Sequence, residues 1–388
     1  MTQAWRFRTS GIVWPFLFLF AAVPAFFLLD EFTPARATDE FQPANDEINA
    51  LFERAKPSVV KVHSGDKFIS AGTGFFIDDR GTVLTSSNVI GDNTNARVVV
   101  NGVELDAKIL GNDPRSGLAM LRVSYDESPS LPLGHSGDLR TGNNVVVVGY
   151  PMSFPVAFSE GQICGFDISF IVPPKNDGTG KGSVATVERF ATTHIHANAS
   201  ISPGQVGSPL LNEQGEVIGI VATSPDSGQT IYALPVEAMQ KIIADFNQYG
   251  RARHGWVGVN VVQGPDSNHD GRTVRVVQAV PGTPASKSGI RPGDTVMRID
   301  EREIYRPADV LDASFFSHVG GSMTVVVRRD QDLFSYNFPV IERPSTPAPS
   351  VPGAPASSSA PLTSAPMDPD SPGDAEPILV NHIVSDSH

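Results

Sequence analysis

Short runs of β-branched and apolar residues, separated by glycine, asparagine and proline, fill the chain from residue 59 to residue 236. The clearest runs are VVKVHS, GTGFFID, TVLTSS, ARVVVNG, AMLRVS, NNVVVVGY, EVIGIVAT and QTIYALP. Strands of this length at fairly even spacing, with turn residues between them, are typical of an all-β barrel or sandwich. We therefore predict a mainly β fold for this part of the chain.

A helix and a second β-rich unit follow. Pro235 begins the segment PVEAMQKIIADFNQY, where apolar residues recur at helical spacing, and Gly250 ends it. Further on, the strand-like runs WVGVNVV, TVRVVQAV, DTVMRID and MTVVVRRD surround a short helical segment at residues 308–317. This pattern predicts a first domain at residues 56–250, after a linker or short helix at 38–55, and a second domain at 255–342.

The N-terminus, residues 1–37, carries a long apolar run at residues 12–29, with two arginines before it and two acidic residues after it. Eighteen residues at 1.5 Å rise span roughly 27 Å, about one hydrocarbon core. The positive-inside rule then places the rest of the chain outside the cytoplasm. We predict a transmembrane helix that anchors the protein. The alternative is a cleaved signal peptide, because Ala35-Arg36-Ala37 fits a cleavage site.

The overall charge and the end of the chain restrict the function further. The formal net charge is −13 and no basic run is present, which argues against nucleic acid as a partner. One cysteine, Cys164, excludes an intrachain disulfide. Residues 343–388 are rich in proline and serine, carry acidic residues and have no lysine or arginine beyond Arg343. Such a segment buries too little apolar surface to offset its entropy, so we predict a disordered tail.

Several short motifs carry a family resemblance. They are GTGFFI at 72–77, DPR at 113–115, LPLG at 131–134, VGYP at 148–151, ISPG at 201–204, PLLN at 209–212 and GEVIGI at 215–220. In this order they resemble the HtrA/Deg family of trypsin-like serine proteases, which carry a membrane segment or signal, a two-barrel domain and a PDZ domain. The resemblance implies a chymotrypsin-like double β-barrel at 56–250, a PDZ domain at 255–342 and a bacterial inner-membrane protein facing the periplasm.

The same resemblance implies where a catalytic triad would stand. The segment LTSSNVI puts Asn88 at the general-base position, SGLA puts Gly117 at the aspartate position, and GQVGSP puts Val206 at the nucleophile position. Serine attack needs a hydroxyl, a base that titrates near ambient pH and a group that orients the base. Because these three side chains supply none of them, we predict that the chain is not an enzyme. Gly204 and Gln205 would form a residual oxyanion loop.

Two alternatives stay open at the same stage. An atypical serine hydrolase with a rebuilt site could use Ser208, just beyond Val206, or Ser86. A metal-binding scaffold could use His194 and His196, since residues i and i+2 of a strand face the same side.

The segment DSNHDG at 266–271 copies the first half of an EF-hand loop but lacks the bidentate glutamate. We predict no cofactor.

The second domain carries the predicted peptide site. The segment GWVGV at 255–259 resembles the carboxylate-binding loop and the following strand of a PDZ domain. A PDZ groove adds a peptide to a sheet edge, and backbone amides receive the peptide carboxylate. The residues of this predicted groove are Trp256, Val257, Gly258, Val259 and Val261.

The predicted partners follow from these assignments. Protein or peptide C-termini would bind the PDZ domain, and residues 12–29 would contact the membrane. The resemblance implies oligomers, and both a homotrimer and a hetero-oligomer with active relatives stay open. The predicted function is a membrane-anchored, periplasm-facing binding scaffold or regulator.

Overall fold

The computed structural model of the chain describes residues 42–65, 70–152, 154–172, 186–264 and 274–344. The predicted membrane anchor, the predicted disordered tail and the 266–271 motif lie outside these residues. Among the helices that the structure describes, none is long and apolar enough to cross a membrane.

Helix α1 precedes a six-stranded closed barrel, the first barrel. The bounds are α1 Gln42–Ala55, a 3-10 turn Lys56–Ser58, β1 Val59–Ser64, β2 Ser70–Phe76, β3 Thr82–Ser86, α2 Ser87–Ile90, β4 Ala96–Val100, β5 Val103–Asp113 and β6 Leu118–Val123. The strands close in the order β1-β2-β3-β6-β5-β4. Alternate side chains such as Val62, Val98 and Leu121 fill the barrel, because successive residues of a strand point to opposite faces.

A second closed barrel follows in the same antiparallel style. Its strands are β7 Asn144–Gly149, β8 Ala157–Val172, β9 Thr186–Ala197, β10 Pro209–Leu211, β11 Val217–Thr223 and β12 Ile231–Pro235. They close in the order β10-β11-β12-β9-β8-β7. The prediction of a mainly β fold is confirmed by these two barrels.

Helix α3, Val236–Tyr249, follows the second barrel and fixes it against the first. Its buried face, which includes Met239, Ile242 and Phe246, joins a core cluster shared with strands of both barrels. Gly111 of β5 makes room for it, since a Cβ there would lie 2.3 Å from the Phe246 ring. The helix ends at Gly250, which adopts φ 68°, a left-handed cap that glycine forms without steric cost. The predicted helix is confirmed.

The remaining described residues form the second domain. Its elements are β13 Gly255–Trp256, β14 Val259–Gln263, β15 Val274–Ala279, α4 Pro284–Ser288, β16 Thr295–Ile299, β17 Arg302–Glu303, α5 Pro307–Phe316, β18 Ser322–Arg329, β19 Asp332–Pro339 and β20 Ile341–Glu342. The main sheet runs β14-β15-β16-β18-β19, so β14 is an edge strand. Helix α5 begins one residue before its predicted start, because Pro307 suits a first helical turn and Asp309 accepts a hydrogen bond from the Arg306 amide.

The two domains meet where helix α5 packs against strand β9. Asp167 of β8 pairs with His194 of β9, but Ser169, only two residues further along β8, pairs with Arg189. Residues 190–193 of β9 therefore form a bulge in the β8–β9 hairpin. Asp312 of α5 accepts hydrogen bonds from the side chains of Thr192 and Thr193 within this bulge. The bulge therefore supplies hydrogen bonds across the domain junction.

Candidate functional site

The structure brings the three predicted triad positions together around Ala222, in strand β11 of the second barrel. The Asn88 side-chain amide donates to the Ala222 carbonyl at 3.1 Å. A Cβ built on Gly117 would lie 3.0 Å from the Ala222 Cβ. The amide of Gly207, next to Val206, donates to the carbonyl of neighbouring Val221 at 2.8 Å. The three positions therefore lie close together where the two barrels meet.

Asn88 lies on the short helix α2, and its side chain is exposed to solvent. Ser86 begins this helix by accepting a hydrogen bond from the Asn88 amide at 3.1 Å, an N-cap that satisfies one free amide of the first turn. The carboxamide of Asn88 donates a hydrogen bond but cannot take up a proton at neutral pH. At the general-base position the chain thus carries a hydrogen-bonding group and no base.

Gly117 adopts φ 79°, a left-handed conformation that residues with a Cβ rarely take. Its carbonyl accepts a hydrogen bond from the Ser87 amide at 2.9 Å, which holds helix α2 in place. The nearest carboxylate in sequence, Asp113, instead contacts His254 at 3.0 Å. Gly117 therefore shapes the backbone at this position and contributes no side-chain function.

Val206 packs against the cores of both barrels, and its carbonyl accepts a hydrogen bond from the Thr73 amide at 2.9 Å. The Thr73 hydroxyl donates to the Gly204 carbonyl at 2.8 Å. Gln205 is buried, and its side-chain oxygen accepts a hydrogen bond from the Ser202 amide. The predicted oxyanion loop, Gly204 and Gln205, is thus fixed by hydrogen bonds to its own turn and to the first barrel.

The two candidate hydroxyls of a rebuilt site are both buried. Ser208 Oγ donates to the Gln205 carbonyl at 2.6 Å, and Ser86 Oγ donates to the Ala222 carbonyl at 2.9 Å. Backbone carbonyls therefore hold both protons, and among the described residues neither hydroxyl bonds to an imidazole.

The candidate metal pair, His194 and His196, has two different environments. His194 is fully buried and stacks on Phe190 with ring centroids 3.7 Å apart. Burial lowers the pKa of His194 to about 4. Hydrogen bonds with backbone groups raise this pKa, but their effect is smaller than that of burial. His196 lies 3.1 Å from the Asp167 carboxylate and stacks on Tyr232.

No third ligand joins this pair in the described part of the chain, where no group of three or more His, Cys, Asp or Glu side chains could hold a metal ion. Two imidazoles alone are a weak donor set for a transition metal. Metal binding at His194 and His196 therefore stays a prediction.

All five residues of the predicted peptide groove are buried. The side chains of Val257, Val259 and Val261 lie in the core of the second domain, while Trp256 lines a cavity at the domain junction. Gly258 adopts φ 78°, and a Cβ there would lie 2.3 Å from Thr283 Oγ1.

Two hydrogen bonds fix the backbone of this loop. The carbonyl of Gly258 accepts from the Val280 amide at 2.7 Å, and that of Val257 accepts from the Ala285 amide at 3.1 Å. The loop leads into the edge strand β14. A fixed loop beside an edge strand is the arrangement that strand addition requires.

Two residues at the domain junction, His254 and Asp312, are functional candidates that the sequence analysis missed. His254 contacts Asp113 and Asp312 contacts Thr192, over separations of 141 and 120 residues. The DPR motif drew attention to Asp113 as a family feature only. No local pattern could have revealed either partner.

Both domains of the chain match known protein families. Residues 72–220 match the family model of the trypsin-like peptidase domain, and residues 255–340 match that of the PDZ domain. The fold and the two family models thus define a trypsin-like domain followed by a PDZ domain, a module that binds peptide or protein segments.

Relatives agree with this assignment. A protein of Hahella chejuensis named "Probable periplasmic serine endoprotease DegP-like" is 28% identical over 276 residues, 68% of this chain and 55% of the relative. A relative of the same name from Ectopseudomonas mendocina is 30% identical, over 67% of this chain and 54% of its own. The chain therefore spans about half the length of these curated relatives.

Among solved structures, the HtrA-type protease AlgW with a tripeptide gives a TM-score of 0.63 at 23% identity, covering 77% of this chain and 98% of AlgW. This likeness supports the fold. Together the comparisons show that the chain carries an HtrA/DegP-family trypsin-like protease domain followed by a PDZ domain.

One prediction is corrected by these comparisons. We predicted from the side chains at positions 88, 117 and 206 that the chain is not an enzyme. That prediction is contradicted, because the relatives are named serine endoproteases and their domain is the peptidase domain of the matching family model. The three side chains remain as described, so their identity does not decide the activity of the whole protein.

Proposed function

We propose that the chain is a periplasmic protein that binds extended peptide segments, C-terminal ones above all, through its PDZ domain. The observation that carries the proposal is strand β14, which ends its sheet beside the loop at residues 255–258. An edge strand offers free backbone groups to an added strand. The AlgW structures with a tripeptide and with a decapeptide, and the periplasmic names of the relatives, support it.

The left-handed Gly258 makes the proposal testable. A methyl group at this position would meet Thr283 at 2.3–2.5 Å, so the loop has to move in the variant G258A. Gly282 is a matched control, since it also has a positive φ, 81°, in the same domain, and a Cβ there would meet nothing within 4 Å. Both variants carry the same backbone strain, and only the first displaces the loop.

The experiment measures binding of a fluorescent C-terminal peptide library to the full chain by anisotropy. We expect binding that disappears when the peptide carboxylate is amidated, weakens about tenfold or more in G258A because a charge-assisted contact is lost, and persists in G282A. Equal binding of acid and amide peptides, or equal loss in both variants, would contradict a carboxylate-binding groove.

A second candidate function is peptide hydrolysis, which the names of the relatives favour. Val206 has no nucleophilic atom, so a hydroxyl from elsewhere would have to attack. Ser208 is the nearest in sequence, and its proton would first have to leave the Gln205 carbonyl. Turnover of a fluorogenic casein that survives repurification and is lost in S208A would establish this function. Turnover that S208A leaves unchanged would exclude Ser208.

The location of the protein is part of the same proposal. We place the two domains in the periplasm, held at the inner membrane by residues 12–29, on the strength of the apolar run and its flanking charges. The experiment is carbonate extraction of bacterial membranes. It compares the full chain with a variant in which a cleavable export signal replaces residues 1–37. Retention of the full chain alone in the membrane pellet is expected, and release of both would favour the cleaved alternative.

A further inference from the structure

Strand β19, Asp332–Pro339, ends the main sheet of the PDZ domain at the edge opposite β14. Six of its eight residues are exposed, and Leu333 is 65% exposed. Among the described residues, no strand pairs with its outer side. Proteins usually protect such an edge with bulges, lysines or prolines. Strand β19 pairs with β18 without a register shift, carries no lysine and has its one proline at the last position, so the edge is open to another strand.

Two hydrogen bonds show which backbone groups of β19 face outwards. Just after the strand, the Val340 amide donates to the Gly321 carbonyl at 2.9 Å, on the side of β18. The Thr324 carbonyl, opposite Asn337, accepts instead from the Asp300 amide at 2.8 Å, on the side away from β19. Residues of an antiparallel strand bond alternately to one side and to the other. The backbone groups of the odd-numbered residues of β19 therefore face the free edge.

The even-numbered residues carry an apolar row that runs from the domain core to the exposed edge. Phe338 is buried in the core, and Tyr336 is half-buried against it. The Phe334 ring stacks on Tyr336 with centroids 6.4 Å apart. The Arg329 guanidinium lies 4.9 Å from the Phe334 centroid, yet Phe334 is still 37% exposed. An exposed aromatic ring beside an open strand edge adds apolar area to any strand that pairs there.

The sequence of β19 is complementary to itself when two copies run antiparallel about a twofold axis at Ser335. Leu333 then lies opposite Asn337 of the second copy, and Ser335 lies opposite its own equivalent. The outward N–H and C=O groups of these three residues all find partners in this register. Phe334 lies opposite Tyr336 of the second copy at a non-hydrogen-bonded position, where side chains approach more closely.

The charge of β19 also fits a second copy. Asp332 is its one charged residue, and in this register it lies opposite Phe338 of the second copy, so no like charges face each other. A shift by one residue would place the outward backbone groups opposite residues that bond to β18, and would turn each aromatic row to the wrong face. The register at Ser335 is therefore the one that satisfies backbone, aromatic and charged groups together.

We propose that β19 pairs with β19 of a second copy of this chain and joins two PDZ sheets into one continuous antiparallel sheet. A strand pair of this size buries less area than a stable interface, so the dimer is weak unless the copies are held close together, as in one oligomer or on one membrane. The pairing does not involve β14, which lies at the opposite edge of the sheet. It therefore does not depend on the proposed peptide groove.

The test is oxidative crosslinking of the full chain, purified in a mild detergent. C164S removes the one cysteine, which is exposed, and serves as the background. S335C then places a thiol at the twofold axis, where hydrogen-bonded antiparallel residues have Cα atoms about 5.5 Å apart, within the range of a disulfide. S322C is the matched control, because Ser322 is an exposed serine of β18, an interior strand of the same sheet.

We expect S335C to form a covalent dimer at least about tenfold faster than S322C, because pairing holds its thiols at bonding distance. A mixture of L333C and N337C chains should crosslink faster than either variant alone, since these two positions face each other only between copies in the proposed register. The readout is a covalent dimer, so assembly through other surfaces does not imitate it.

Equal rates for S335C and S322C would overturn the proposal, and so would equal rates for the mixture and the separate L333C and N337C chains. The same crosslinking in cell membranes identifies any other occupant of the edge. Capture of S335C by a different protein, with no dimer of the chain, would also overturn pairing with a second copy.

Discussion

The carboxylate of Asp312 accepts a hydrogen bond from Thr192 Oγ1 at 2.6 Å, across the junction of the PDZ and trypsin-like domains. The same carboxylate accepts from the amide and the hydroxyl of Thr193, each at 2.8 Å. One buried side chain on helix α5 therefore satisfies three donors of the bulged strand β9. Because Thr193 lies in the bulge, where β9 is out of register with β8, the carboxylate takes the place of a ladder acceptor for the Thr193 amide.

Replacing Asp312 by alanine should therefore destabilise the protein. The variant leaves three donors without their acceptor, and we expect a loss of about 2–3 kcal/mol in the free energy of unfolding. Urea unfolding followed by circular dichroism measures it. The control is E301Q, which changes an exposed acidic residue of the same domain. A cost for D312A no larger than that of E301Q would show that solvent replaces the carboxylate.

The stability of the protein should fall as the pH falls from about 6.5 to 4, because of His194. The folded protein keeps this imidazole neutral to about pH 4, whereas the unfolded chain protonates it near 6.5. The unfolded state therefore binds more protons in this window, and stability is lost as pH decreases. The contribution is at most about 3 kcal/mol, fully present above pH 6.5.

Urea unfolding at a series of pH values checks this prediction. H194F removes the titrating group and should flatten the slope between pH 6.5 and 4, while H135Q, a change at a largely exposed histidine, should not. Asp113, whose pKa is lowered, adds a loss with the same sign at still lower pH. An unchanged slope in H194F would assign the dependence to other groups.

Adding a side chain at Gly117 should cost stability because of Ala222. G117A and G102A both place alanine at a positive φ, 79° and 83°, but only the first meets a neighbour, the Ala222 Cβ at 3.0 Å. We expect G117A to cost about 1 kcal/mol more than G102A. The double variant G117A/A222G should recover the difference. An equal loss in the free energy of unfolding for G117A and G102A would show that Ala222 moves aside without cost.

The sequence predicted many of the local elements, because the signals of those elements are local. The β-branched runs with turn residues between them specify strands, and Pro235 and Gly250 mark the ends of α3 through their backbone preferences. The ordered family motifs then indicated two barrels and a PDZ domain. The activity could not be predicted in the same way. The three triad positions indicate only which side chains lie at one place in the fold, whereas the relatives of the chain are named serine endoproteases.

What the sequence by itself determined is many of the strands, the helices α1, α3 and α5, the order of the domains and the residues at the three triad positions. What only the tertiary structure decided is which distant groups meet. His194 and His196 are two residues apart, yet one is buried against Phe190 and the other contacts Asp167. His254 meets Asp113, and Asp312 meets Thr192, because chain closure and burial set these contacts. Periodicity constrains neighbours within one element, whereas packing between elements depends on the whole fold.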